Sequence, residues 1–330
     1  MAVLVKTVNA VACLALIVSV AASPCQKRGA SSGGMIPAVA NNSTPLTTPA
    51  PVNTPAPVNT PAPVNTPAPA NTPEPTNTPA TPNIAVAANT PASANLCGND
   101  QHIIIDGTPW LVANSMYGAA QMVGSVCTQF DRVETPAGGN PRIVWGSKTA
   151  IQYVESTNNV AKGYTNIGLI QNLQTTISSI ASVPATYDWT RTKSTAFKGN
   201  ICFDFILSPT KGDYTSTSAQ ELMLWLQYEG GQLPIGWDRG PAATIPSLFG
   251  TSWKLYEDIN TGNGMTVHSL LPDTQFSGSF TGDLKEWFEA LVRLGRLSDG
   301  NWVNVGNAGS ELFYGDSVLE ATLGLQINLS

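Results

Sequence analysis

The sequence predicts an all-β domain, a sandwich or jelly roll, carried behind a leader and a long tether. Three observations predict it. Short apolar alternations recur with Gly, Asn, Pro and Thr between them, as in RIVWGS, ICFDFIL, ELMLWLQY, SWKLYEDI and LEATLGLQINL, a rhythm of half-buried strands. Only one segment has helical spacing: Asp283 can cap a run in which Leu284, Trp287, Phe288 and Leu291 fall at i, i+3, i+4 and i+7. The part beyond the tether spans about 234 residues, a length that all-β sandwiches reach as one domain.

Taken in order, residues 1–22 read as a signal peptide. The apolar stretch from Val8 to Val20 follows Lys6, is too short to span a bilayer, and ends in the small residues Ala21, Ala22 and Ser23. Export is expected, with Lys27-Arg28 open as a second processing site. Residues 23–95 form a tether in which N-T-P-A-P-V recurs with asparagines at 53, 59, 65, 71, 77, 83 and 89. So little apolar surface cannot offset the entropy of ordering, and the prolines favour an extended chain. Threonines beside prolines suit O-glycosylation, and N-glycan signals stand at Asn41, Asn42 and Asn328.

Residues 96–330 are expected to carry the chemistry. In the run from Glu221 to Leu226 the period of two places Glu221, Met223 and Trp225 on one face and three leucines on the other. The segment NICFDFILSP alternates likewise, so Phe203, Phe205 and Leu207 face inward while Asp204 faces away. If these strands are neighbours, Asp204 lies beside Glu221, where a hydrogen bond could orient it and push their pKa values apart. Glu311, in NVGNAGSELFYGD, supplies a further carboxylate. Cleavage of a glycosidic bond with retention needs two such groups about 5–5.5 Å apart, one to attack the anomeric carbon and one to protonate the leaving oxygen.

These residues, with their order and spacing, resemble family 12 of the glycoside hydrolases. The likeness is carried by VANSMYGAA, NNVAKGYTN, CFDFILS, QELMLWLQYEGGQLPIG, SWKLY, FTGDLKEWFEAL and GNAGSELFYG. It implies a β-jelly-roll sandwich of two antiparallel sheets with a concave substrate cleft and one α-helix on the outer side. By the same resemblance Glu221 is the nucleophile, Glu311 the acid/base and Asp204 the assisting carboxylate. Asn114, Tyr117, Trp145, Met223, Trp225, Pro234 and Trp237 are expected to bind substrate, and Cys97 and Cys127 to form a disulfide. The chain departs from the family pattern in places. Tyr117 stands where a tryptophan is usual, Trp145 is all that survives of W-H-x-x-W-x-W, and SELF replaces T-E-P-F.

The implied activity is that of a secreted, retaining endo-β-1,4-glucanase, monomeric and without a cofactor. Its partner would be a β-glucan such as cellulose or mixed-linkage glucan. A xyloglucan-specific enzyme and a non-catalytic glucan-binding protein of the cell wall stand as alternatives. A net charge of −6 without a basic cluster argues against nucleic acid and anionic membranes as partners. His102 and His268 have no ligand-spaced neighbours, which disfavours zinc, and no serine lies in a G-x-S-x-G context. Cys202 is expected to be a free thiol packed near the cleft.

Overall fold

The computed structural model describes residues 93–330. The leader, the repeats, Cys25 and the sequons at Asn41 and Asn42 lie outside the described residues. Two sheets form the domain. One runs in the order Asp100–Ile104, Trp110–Ser115, Gly163–Leu169, Trp302–Leu325, Lys198–Ser208, Gln220–Glu229, Thr266–Pro272, Thr251–Ile259 and Ala243–Leu248. The other runs Ala94–Leu96, Gly124–Glu134, Arg142–Ile151, Trp302–Leu325, Pro184–Lys193 and Ser279–Asp283. The pairings in both are antiparallel, except that Gln220–Glu229 and Thr266–Pro272 run parallel.

The strand Trp302–Leu325 belongs to both sheets. Its first half pairs with Lys198–Ser208 and Gly163–Leu169, and its second half with Arg142–Ile151 and Pro184–Lys193. The passage occurs at Gly315, whose φ of 116° is costly for any residue with a Cβ. A Cβ there would also lie 2.5 Å from the Ala196 carbonyl oxygen.

Alternation fills the space between the sheets. Phe203, Phe205, Leu207, Leu222, Leu224 and Leu226 are wholly buried from one sheet, and Ile143, Trp145, Tyr187, Leu319 and Leu323 meet them from the other. The rings touch across the layers, with Tyr187 5.9 Å from Phe203 and Phe203 5.4 Å from Phe280. Burying each such side chain stabilises the fold by roughly 1.5–3 kcal/mol. Polar ties also cross the sandwich. Trp110 Nε1 donates to the Leu325 carbonyl at 2.8 Å, and Trp189 Nε1 to Gln227 Oε1 at 2.8 Å. The Cys97–Cys127 disulfide joins the chain after Ala94–Leu96 to the strand Gly124–Glu134.

The helix Lys285–Arg293 forms where the spacing places it. Asp283 Oδ1 accepts the Lys285 N–H at 3.0 Å, satisfying one of the donors left free at a helix start. Trp287 and Phe288 pack on Phe205, on the sheet face opposite Asp204. The helix therefore supports the carboxylate-bearing sheet from behind.

Candidate active site

Three strands deliver the carboxylates to the sheet face turned away from the core. Glu221 stands opposite Ile206, and Asp204 stands between Met223 on one neighbour and Asn307 on the other. Glu311 lies further along Trp302–Leu325, opposite Tyr164. A bulge at Ile201/Cys202 shifts the register with Gln220–Glu229. Beyond it Trp225 and Tyr228 keep to the cleft face, their rings 5.7 Å apart, while Gln227 turns back to meet Trp189.

The floor beneath the carboxylates is apolar and aromatic. Tyr164, Cys202, Met223, Trp225, Tyr256, Val267 and Leu271 pack together, with Tyr117 and Tyr228 against them. Glu221 and Glu311 are buried in this setting. Burial, reinforced by Asp204 and Glu311, holds the Glu221 carboxyl well above the usual range. Burial and the neighbouring Glu311 push Asp204 up to about 7. Glu311 also reaches about 7 through burial, against hydrogen bonds from Tyr117, Gln232 and Asn200 and the positive charge of Lys198. Asp204 and Glu221 each oppose ionisation of the other, so these two carboxyls titrate together.

The expected hydrogen bond between Asp204 and Glu221 is absent from the described contacts. Asp204 Oδ1 and Glu221 Oε2 are both buried without a partner, so the two carboxyls are coupled by charge.

The residues expected to bind sugar divide into two groups. Met223, Trp225, Tyr117 and Trp237 reach the cleft face. Trp237 is 43% exposed and stacks on Tyr256, with ring centroids 4.9 Å apart. Trp225 is buried in the floor with Nε1 unpartnered. Pro234 is buried in the loop that leads to Trp237, where its carbonyl accepts the Trp237 N–H at 3.2 Å. Trp145 and Asn114, expected at the sugar, lie away from the cleft face. Trp145 is 2% exposed and points between the sheets, 6.3 Å from the Tyr187 ring. Asn114 is one residue out of phase with the cleft-facing positions of its strand. Its amide donates to the carbonyls of Gly98 and Val126, and its Oδ1 accepts from Thr128 Oγ1. Both belong to the interior of the sandwich.

Several site residues escaped the sequence reading. Tyr256 shares the parity of Lys254 and Asp258 on its strand, so alternation in SWKLYED could have found it. Asn200 lies two pairs before Asp204 on the same face and touches Glu311 through both side-chain ends, a position that parity also allows. Gln232 sits in a loop, where no periodicity marks it. Cys202, wholly buried beneath Tyr164, is the free thiol that was expected.

A β-jelly roll with an aromatic-floored open face and a carboxylate cluster defines the class, a glycoside hydrolase. The family model for glycosyl hydrolase family 12 matches residues 108–325, and the chain belongs to that family. Among curated relatives, the xyloglucan-specific endo-β-1,4-glucanase A of Aspergillus aculeatus is 30% identical over 204 residues, covering 62% of this chain and 79% of that enzyme. The enzyme of the same name from Emericella nidulans is 28% identical, covering 67% and 86%. In fold, the chain is similar to endoglucanase 3 of Trichoderma harzianum, with a TM-score of 0.62 at 23% identity over 72% of this chain and 98% of that one. The family 12 xyloglucanase of Bacillus licheniformis gives a TM-score of 0.56 at 17% identity, covering 71% and 100%.

Proposed function

We propose that this protein is a secreted, retaining endo-β-1,4-glucanase. The convergence of Glu221, Asp204 and Glu311 in one buried cluster carries the reading, because it gathers the two carboxyls that retaining hydrolysis needs as nucleophile and proton donor. In this mechanism Glu221 attacks the anomeric carbon while Glu311 protonates the departing oxygen. Glu311 then takes a proton from a water whose oxygen attacks the anomeric carbon, which breaks the bond to Glu221 and leaves Glu221 ionised and Glu311 protonated again. Asp204 acts through its charge on Glu221. No step calls for a metal or an organic cofactor.

The substrate is a neutral β-glucan, bound as single chains along the aromatic floor. The names of the relatives favour a second reading, a preference for xyloglucan. Release of reducing ends from mixed-linkage β-glucan and from xyloglucan, with the parent and with Glu221→Gln, tests both. Activity on neither polymer by a folded parent overturns the glucanase reading, and a large ratio between the two assigns the preference. Export is supported by the pattern of residues 1–22 and by the disulfide, which an oxidising compartment permits. N-terminal sequencing of the protein from culture medium tests it, with a start near Ser23 expected.

A further inference from the structure

Besides Asn200 on the adjoining strand, whose Nδ2 lies 3.4 Å from Glu311 Oε2, two uncharged donors from outside both of these strands hold the Glu311 carboxyl. Tyr117, just beyond the strand Trp110–Ser115, places Oη 3.0 Å from Glu311 Oε1. Gln232, in the loop after Gln220–Glu229, places Nε2 2.7 Å from Glu311 Oε2. Oε1 thus takes Tyr117, and Oε2 takes Gln232 at 2.7 Å with the longer contact from Asn200 beside it.

The seating of Gln232 is specific. Its loop is turned by Gly230, with φ of 69°, at a point where a Cβ would lie 2.4 Å from the Phe197 carbonyl oxygen. The Gln232 side chain is wholly buried, and its Oε1 has no hydrogen-bond partner. A buried acceptor left unpaired is unfavourable, so the amide keeps its place through what its other end does, which is to donate to Glu311. Tyr117 is fixed independently, by packing on the apolar floor beside the catalytic cluster.

We propose that Tyr117 and Gln232 are positioning residues for the proton donor, a two-sided clamp that fixes the Glu311 carboxyl and sets the upper pH limit of catalysis. This rests on the reading of Glu311 as the acid/base. Each donor favours the ionised carboxylate over the acid, because only the anion accepts at both oxygens with full charge. The other titratable groups facing Glu311 are Lys198, which also favours the anion, and Asp204, Glu221 and Cys202, whose ionised forms would oppose it. The clamp therefore works against burial and keeps the proton transferable. It also resists rotation of the carboxyl away from the bond to be cleaved.

The test is the pH profile of kcat/KM on mixed-linkage β-glucan for the full chain and for Tyr117→Phe, Gln232→Met and Glu311→Gln. Losing a donor to the anion leaves Glu311 protonated to higher pH, so the alkaline limb is expected to move upward by roughly 0.5–1 pH unit in each clamp variant. Side chains that only filled space would leave that limb in place. An unmoved limb with Glu311→Gln inactive overturns the clamp while the acid/base reading stands. Full activity of Glu311→Gln overturns both. The two clamp variants are read separately, each against its own thermal unfolding curve. If one fails to fold, the other decides.

Discussion

Asp204 and Glu221 stand one cross-strand pair apart on the same face, with Asp204 opposite Met223 and Glu221 opposite Ile206, and each leaves an oxygen buried without a partner. Their influence on one another is a repulsion between charges. Removing the Asp204 charge therefore lets Glu221 ionise at lower pH. With Glu221 as the proposed nucleophile, the acid limb of kcat/KM is expected to move downward in Asp204→Asn, with a fall in kcat because a less basic carboxylate attacks more weakly. An acid limb that stays or rises contradicts this coupling.

The parent enzyme should show a bell-shaped pH dependence. In the proposed role of acid/base, Glu311 carries a proton to assist departure of the leaving group, and its carboxyl is pushed up to about 7. Activity should fall as the pH rises through that value, and fall on the acid side as the Glu221 carboxylate is protonated. Initial rates between about pH 4 and 9 would check this.

The cluster is also expected to lower stability at alkaline pH. Asp204 titrates near 7 in the folded protein and near 3.9 when unfolded. The folded state thus binds its proton more tightly, so the associated stability is fully present below about pH 4 and lost as pH rises through about 7. Asp204→Asn should raise Tm at pH 8 by roughly 2–4 °C per kcal/mol recovered, with the gain vanishing near pH 4. An equal gain at both pH values would mean that packing, not charge, is responsible.

Two tryptophans that look alike in sequence should behave oppositely. Trp145→Ala opens a hole between the sheets and should destabilise the fold by about 3–5 kcal/mol. Trp237→Ala removes an exposed ring stacked on Tyr256. It should raise KM for β-glucan by roughly 2–10-fold with little change in Tm, as expected for a lost stacking surface worth about 0.5–1.5 kcal/mol. Thermal unfolding and steady-state kinetics on the two variants separate these roles.

Replacing Cys97 and Cys127 together by serine should cost about 2–4 kcal/mol, because the bond closes a loop of 30 residues in the unfolded chain. Denaturant unfolding of the double variant measures this directly.

Alternation made much of the site legible in the sequence. A period of two fixed which of Phe203, Asp204 and Phe205 faces the core, and the same rule placed Glu221, Met223 and Trp225 together. Trp145 and Asn114 failed as sugar contacts for a related reason. Their residue types suit a cleft, but the phase of each strand turns them between the sheets, where Trp145 fills volume and Asn114 satisfies backbone carbonyls. Gln232 could not be read at all, because a loop has no phase. Its position depends on a backbone turn at Gly230 that closes against Phe197 and Lys198, at the start of the neighbouring strand. The phenol of Tyr117 was legible as a ring near the cleft, whereas its bond to Glu311 spans 194 residues of chain and exists only in the fold.

One strand, Trp302–Leu325, is threaded through both layers and carries Glu311 on the way. The Glu311 carboxyl, the proposed proton donor, is consequently anchored to the whole sandwich rather than to one sheet alone. Fraying of the outer layer pulls on the same backbone that positions the carboxyl, so neither layer can loosen while the chemistry stays intact. Loss of hydrolysis during heating becomes a sensitive report of the fold's cooperativity, and reinforcement far from the cleft, along the outer half of that strand, is a route to an enzyme that works at higher temperature.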